Sequence, residues 1–219
     1  SVLINNGASV TNDTSTTLSL SAQDDQGITA YYVSASSIDT PSVTSSSWVT
    51  VTPSQNYSAE ISYSLGYSWA SSGQKTVYVW YKDAGGNISQ RASDSINLDT
   101  QAPSSTSVST PYSASTQIIE LSLSAYDSSG VSGYYLSSSS FSPTLNSTGW
   151  VAVPPTTSYS ATVSYTLAAS TGFQSIYAWF RDEAGNISYS NYDSAYLESG
   201  FISASAAGDK TAPFSASVL

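Results

Sequence analysis

Few residues in this 219-residue chain can carry out chemistry, and most of them are carboxylates. It has no His, no Cys and no Met. That removes the usual general base, the commonest transition-metal ligand, the thiolate nucleophile and the zinc–thiolate site. Asp remains. Asp24, Asp25 and Asp83 fall in turn-like stretches of the first half, and Asp99, Asp127 and Asp182 in later ones. Carboxylates and backbone carbonyls are the oxygen ligands that Ca²⁺ takes, six to eight at a time. Asp in a turn also bonds its own backbone with no ion present. Paired carboxylates can hydrolyse glycosides, but Asp24 and Asp25 are adjacent and would point to opposite sides of a strand. Glu60 and Glu120 stand alone, and no Gly-x-Ser-x-Gly elbow presents a serine. The expectation is a chain that is not an enzyme and has no resident cofactor, with Ca²⁺ as the one ion its acids would suit.

Aromatic residues form the second set. Tyr78 and Trp80, and again Tyr177 and Trp179, alternate with residues such as Val77, Val79 and Tyr81. If the Val77 side is the core, these rings lie on an outer sheet surface, where flat aromatics suit stacking on sugars or on a neighbouring chain. The competing explanation is cross-strand packing against Tyr31, Tyr32, Tyr134 or Tyr135. Trp48 and Trp150 read as packing residues.

Composition narrows the partners. Fifteen acidic residues against five basic give a net charge of −10, which repels a phosphate backbone, so no nucleic acid is expected. Charged residues are only 9 % while Ser and Thr make up about a third of the chain. No apolar run approaches the roughly 20 residues needed to span a bilayer. The chain opens without the basic and apolar regions of a signal peptide, and reads as an excised or mature segment.

The elements that must position these residues occur twice. Leu18-Ser-Leu-Ser-Ala-Gln-Asp returns as Leu121-Ser-Leu-Ser-Ala-Tyr-Asp, and Val77-Tyr-Val-Trp-Tyr-Lys-Asp returns as Ile176-Tyr-Ala-Trp-Phe-Arg-Asp. An offset near 100 residues is too long for a solenoid repeat, which runs roughly 20 to 50, and suits a whole sandwich domain. Asp99-Thr-Gln-Ala-Pro103 is repeated as Asp209-Lys-Thr-Ala-Pro213, and Ser217-Val-Leu219 echoes Ser1-Val-Leu3. Periodicity is two: Leu18, Leu20 and Ala22 alternate with Ser19 and Ser21, the pattern of half-buried strands. In the first repeat, strands are predicted over 1–5, 17–23, 28–36, 48–52, 57–66, 75–82 and 88–98. The fold class is therefore all-β, two tandem β-sandwiches of about seven strands each. Domain one spans 1–98 and domain two 99–208. Residues 209–219 form a linker and the first strand of a following repeat.

The run Tyr-x-Trp-x-x-Asp-x-x-Gly-Asn-x-Ser, at Tyr78 to Ser89 and Tyr177 to Ser188, followed by a strand and Asp-x-x-Ala-Pro, resembles the bacterial immunoglobulin-like and fibronectin-type-III-like repeats of large surface proteins. Ala-x-Asp-x-x-Gly near 22–28 and 125–131 fits the same family. The resemblance implies that both sandwiches are immunoglobulin-like, in an extracellular, cell-surface structural array of a stalk, adhesin or fibre, whose partners are neighbouring repeats or like chains. In such a sandwich, Asp24, Asp25 and Asp83 would gather at the end of domain one where the chain enters. Asp99, Asp127 and Asp182 would gather where domain two follows domain one. Two other functions remain open. One is a fibre subunit that docks head-to-tail through Ala212 to Leu219, whose strand edge would be unpaired. The other is a carbohydrate-binding module that holds surface glycans on Tyr78, Trp80, Tyr177 and Trp179.

Overall fold

A computed structural model describes residues 1–37, 40–66 and 71–202. The expected linker and strand over 209–219 lie outside these residues. Two compact units divide the chain: Ser1–Gln101 with Glu183–Asn186, and Ala102–Asp182 with Ile187–Leu219. Each is an all-β sandwich of the immunoglobulin kind. The first unit comprises β1 (Val2–Ile4), β2 (Val10–Thr11), β3 (Ser15–Ser34), β4 (Val49–Ser64), β5 (Gly73–Asp83) and β6 (Ala92–Leu98). The second comprises β7 (Ser104–Ser109), β8 (Ser113–Thr116), β9 (Ile118–Ser137), β10 (Val151–Thr166), β11 (Gly172–Asp182) and β12 (Asn191–Ile202). The sole helical element among the described residues is a 3-10 turn over Asn5–Gly7, and no helix among them is long and apolar enough to cross a membrane.

The stretches predicted as strands over 17–23 and 28–36 are two halves of one bent strand, β3, and those over 48–52 and 57–66 are halves of β4. Up to Gln23, β3 pairs with β1 and the second half of β4. From Ile28 onward it pairs with β5 and the first half of β4. The bend is where the ladder changes layer, and its causes are local. Asp24 Oδ1 accepts the N–H of Gln26 (2.9 Å), Gly27 takes φ +85°, and the register slips between Gln23 and Ile28. Pro53 lies opposite, where a missing N–H costs no ladder bond. In β9 the same bend is made by Asp127, Gly130 (φ +106°) and the facing Pro154-Pro155.

Alternation then fills the space between layers. Leu18, Leu20, Ile28, Val77, Val79 and Ile96 are buried together in the first unit, and Leu121, Leu123, Val131, Ile176, Phe180 and Leu197 in the second. Each such side chain contributes roughly 1.5–3 kcal/mol. Serines occupy many intervening outward positions of β3 and β9, which accounts for much of the composition.

The first strand of each unit serves both layers. β1 runs antiparallel to β3, the chain turns through left-handed Asn5 and Asn6, and β2 continues parallel to β6. Asn5 Oδ1 accepts the Thr17 N–H (2.9 Å) and Asn6 Oδ1 the Ser19 hydroxyl (2.8 Å), which suits Asn to these positions. In the second unit β7 pairs with β9 and β8 runs parallel to β12.

Candidate functional site

The six aspartates do not share one fate. In the first unit, Asp83 Oδ1 accepts the Asn87 N–H and Oδ2 accepts the Asn87 side-chain amide, both at 2.7 Å. The Asn87 amide, helped by the N–H groups of Asn87, Gly85 and Gly86, holds the Asp83 carboxyl below the usual carboxylate range against the opposing effect of burial. Asp24 is bonded to its own turn, and the Asp25 carbonyl accepts the Gln55 amide (2.8 Å). Asp24, Asp25 and Asp83 therefore do not form a set of ligand oxygens within 4.8 Å of one another. Asp24 and Asp83 do line one pocket of the first unit, but each carboxylate is bonded to backbone within its own turn.

Asp127 and Asp182 in the second unit differ. Both are buried, 3 % and 2 % exposed, and carboxylate oxygens of the two lie within 4.8 Å of each other. Asp127 Oδ1 accepts the N–H groups of Ser129 (2.8 Å) and Gly130 (3.1 Å), which aims the side chain back along its turn. Asp99 closes the first unit. Its N–H donates to the Thr11 carbonyl (2.8 Å), and Oδ1 accepts the Gln101 N–H (3.0 Å) and the Ser72 hydroxyl (3.3 Å). Its other oxygen, Oδ2, is buried with no hydrogen-bond partner among the described residues. A buried carboxylate oxygen without a donor is costly unless something satisfies it.

The aromatic expectation needs correction. Tyr78 and Trp80 do face away from Val77, Val79 and Tyr81, but Trp80 and Trp179 are only 1 % and 0 % exposed. Tyr32 lies edge-on between Trp80 (5.8 Å between centroids) and Trp48 (5.6 Å). The loop between β3 and β4 is tied over this group. Trp48 Nε1 donates to the Ser42 carbonyl (2.9 Å), while Lys82 donates to the Val43 carbonyl (3.2 Å) and stands 4.7 Å from the Trp48 ring centre. The second unit repeats the arrangement with Tyr135, Trp150, Trp179, Arg181 and the Thr144 carbonyl. Trp80 and Trp179 are thus the centre of a small second core and are closed to a glycan. Tyr78 is covered by the Arg91 guanidinium, 4.6 Å from its ring centre. Tyr177 stays half-exposed beside Tyr192.

Two further aspartates escape the sequence reading. Asp94 on β6 accepts the Ile4 N–H (2.7 Å), and Asp193 on β12 accepts the Thr110 N–H (2.8 Å) and hydroxyl (3.0 Å). Each fastens the first strand where it crosses between layers. The signal was available in the recurrence of Asp-Ser at 94–95 and 193–194.

No protein-family model matches the chain, and no curated protein matches it. Solved structures with a similar arrangement include the fibronectin(III)-like modules of Clostridium thermocellum CbhA, at 10 % identity and TM-score 0.44, covering 91 % of this chain and 95 % of that one. The human OSCAR ligand-binding domain is similar at 14 % identity and TM-score 0.34, covering 89 % and 94 %. Chicken CNTN1 FN1–FN3 domains follow at 14 % identity and TM-score 0.37, covering 90 % and 66 %.

Proposed function

We propose that the chain is a non-catalytic spacer of an extracellular, repetitive bacterial surface protein, a stalk, adhesin or fibre part that supplies reach. The observation that carries this reading is that one sandwich is built twice with the same fastenings. Both units have the bent strand, the layer-switching first strand held by Asp94 or Asp193, and the loop tied over a tryptophan. Stretching single molecules by their two ends tests it. Each unit of about 100 residues releases roughly 330–360 Å of chain when it unravels. Two such increments are expected, and one increment of double length would overturn the reading.

The buried carboxylates favour a calcium-bound form of the same spacer. Asp127 and Asp182 would supply oxygens to one Ca²⁺. The donor set suits this ion, since Ca²⁺ accepts monodentate carboxylates and backbone carbonyls in irregular geometry. Binding to the folded state alone raises stability by about 2.7 kcal/mol at a hundredfold excess over Kd. Calcium is expected to raise the melting temperature of the unmodified chain but not of Asp127→Asn or Asp182→Asn. An unchanged melting temperature for the unmodified chain would remove the ion from the account.

A further inference from the structure

The outer face of β11 and β12 carries an exposed band of aromatic side chains that has no counterpart among the described residues of the first unit. Three cross-strand pairs present their side chains on that face: Phe173 opposite Tyr196, Ser175 opposite Ser194, and Tyr177 opposite Tyr192. The register of the first unit is identical, and there the pairs are Gln74 with Asn97, Thr76 with Ser95, and Tyr78 with Ser93. The next strand extends the difference. The N–H of Tyr196 bonds the Tyr112 carbonyl where that of Asn97 bonds the Ser9 carbonyl, so Tyr112 stands in the place of Ser9. Four polar positions of one repeat have thus become four rings in the other.

These rings are open. Tyr112 is 78 % exposed, Phe173 61 %, Tyr192 62 % and Tyr196 39 %. They form two groups. Phe173 meets Tyr112 (5.9 Å) and Tyr196 (5.1 Å) at steep angles, while Tyr177 and Tyr192 lie 5.3 Å apart and within 31° of parallel. Between the groups runs a hydroxyl rung, Ser175 with Ser194, at 2.9 Å. Four residues along a strand separate the groups by roughly 13 Å. The first unit cannot act likewise, because Arg91 covers Tyr78, and Ser190 replaces that cation in the second unit.

We propose that this face binds an extended, uncharged polysaccharide, with sugar rings stacked on the two aromatic groups and hydroxyls meeting the serine rung and the tyrosine hydroxyls. The apolar C–H face of a pyranose packs on the negative face of an aromatic ring, and its hydroxyl rim requires polar partners alongside. None of the six paired positions carries a charge, which suits a neutral ligand. A second copy fits worse. Two chains of net charge −10 repel each other. The four open rings also expose on the order of 500 Å², less than the roughly 800 Å² each partner contributes to a stable protein interface.

Affinity electrophoresis of the full chain through gels containing hydroxyethyl cellulose, galactomannan or dextran tests the proposal, with polygalacturonate as a charged control. At least one neutral polymer is expected to retard the chain while polygalacturonate does not. Converting the face to that of the first unit, with Phe173→Gln, Tyr192→Ser and Tyr196→Asn together, should weaken retardation about tenfold or more. Tyr192→Ser alone, at a well-exposed site, should weaken it measurably at an unchanged melting temperature. No retardation by any neutral polymer, or retardation equal in the triple variant, would overturn it. So would a dimer, seen by light scattering, that the triple variant abolishes.

Discussion

At the scale of single residues, the carboxylates act mostly as backbone fasteners. Asp193 shows why the charge persists. Burial opposes it, but the Thr110 N–H, the Ser194 N–H and the Thr110 hydroxyl together outweigh burial and hold the carboxyl below its usual range. A folded-state pKa below the unfolded value of about 3.9 gives stability that is present above that value and lost as pH falls through the lower folded one. Asp83 and Asp193 therefore both predict weakening below about pH 4. In Asp193→Asn the acid limb of a melting-temperature profile should be shallower than in the unmodified chain. Asp94→Ala and Asp193→Ala each leave a backbone N–H without its charged acceptor and should cost about 2 kcal/mol by urea unfolding. The sequence pointed to local backbone bonds at Asp83 and Asp127, and both carboxylates accept N–H groups within four residues. It passed over Asp94 and Asp193 because their partners lie 90 and 83 residues away.

At the scale of elements, period-two alternation was legible almost everywhere, and it placed Leu18, Leu20, Val77 and Val79 inside without error. Strand continuity was not legible. Asp25-Gln-Gly27 reads as a break, yet the chain keeps pairing on both sides of it and only bends. Exposure of the outer face was not legible either, because burial of Trp80 depends on a loop whose path leaves no periodic trace. The bend itself gives a prediction. At Gly130 an added Cβ would sit 3.2 Å from Pro155 Cβ and 3.3 Å from the Thr156 nitrogen, at φ +106°. Gly130→Ala should destabilise by roughly 1–3 kcal/mol, measured by urea unfolding. Gly27, with 3.5 Å to the nearest atom, should be the milder of the two bend glycines.

At the scale of the whole molecule, repetition was the clearest message of the sequence, and both halves fold to the same plan. The halves differ in what they expose: among the described residues the outer sheet face is mostly polar in one and aromatic in the other. Their second cores should also fail separately. Trp80→Ala and Trp179→Ala each remove a fully enclosed ring, at a cost of about 3–5 kcal/mol. In the stretching experiment each variant should lower the force of one increment only. Tension between the ends also meets β2 lying parallel to β6, so Val10 and Thr11 must slide past Asn97 and Leu98 with their bonds strained together.

The tied loops have a consequence for resistance to proteolysis. Between β9 and β10 a stretch of thirteen residues, 138–150, has no strand of its own, and segments of this kind are where proteases nick a chain. Secreted domains often restrain such stretches with cystine bridges, which a chain without cysteine cannot form. Here the Trp150 indole pins the loop by its N–H, and Arg181 lies over the ring. A protease needs an extended, free peptide, and this latch withholds one without any redox chemistry to lose.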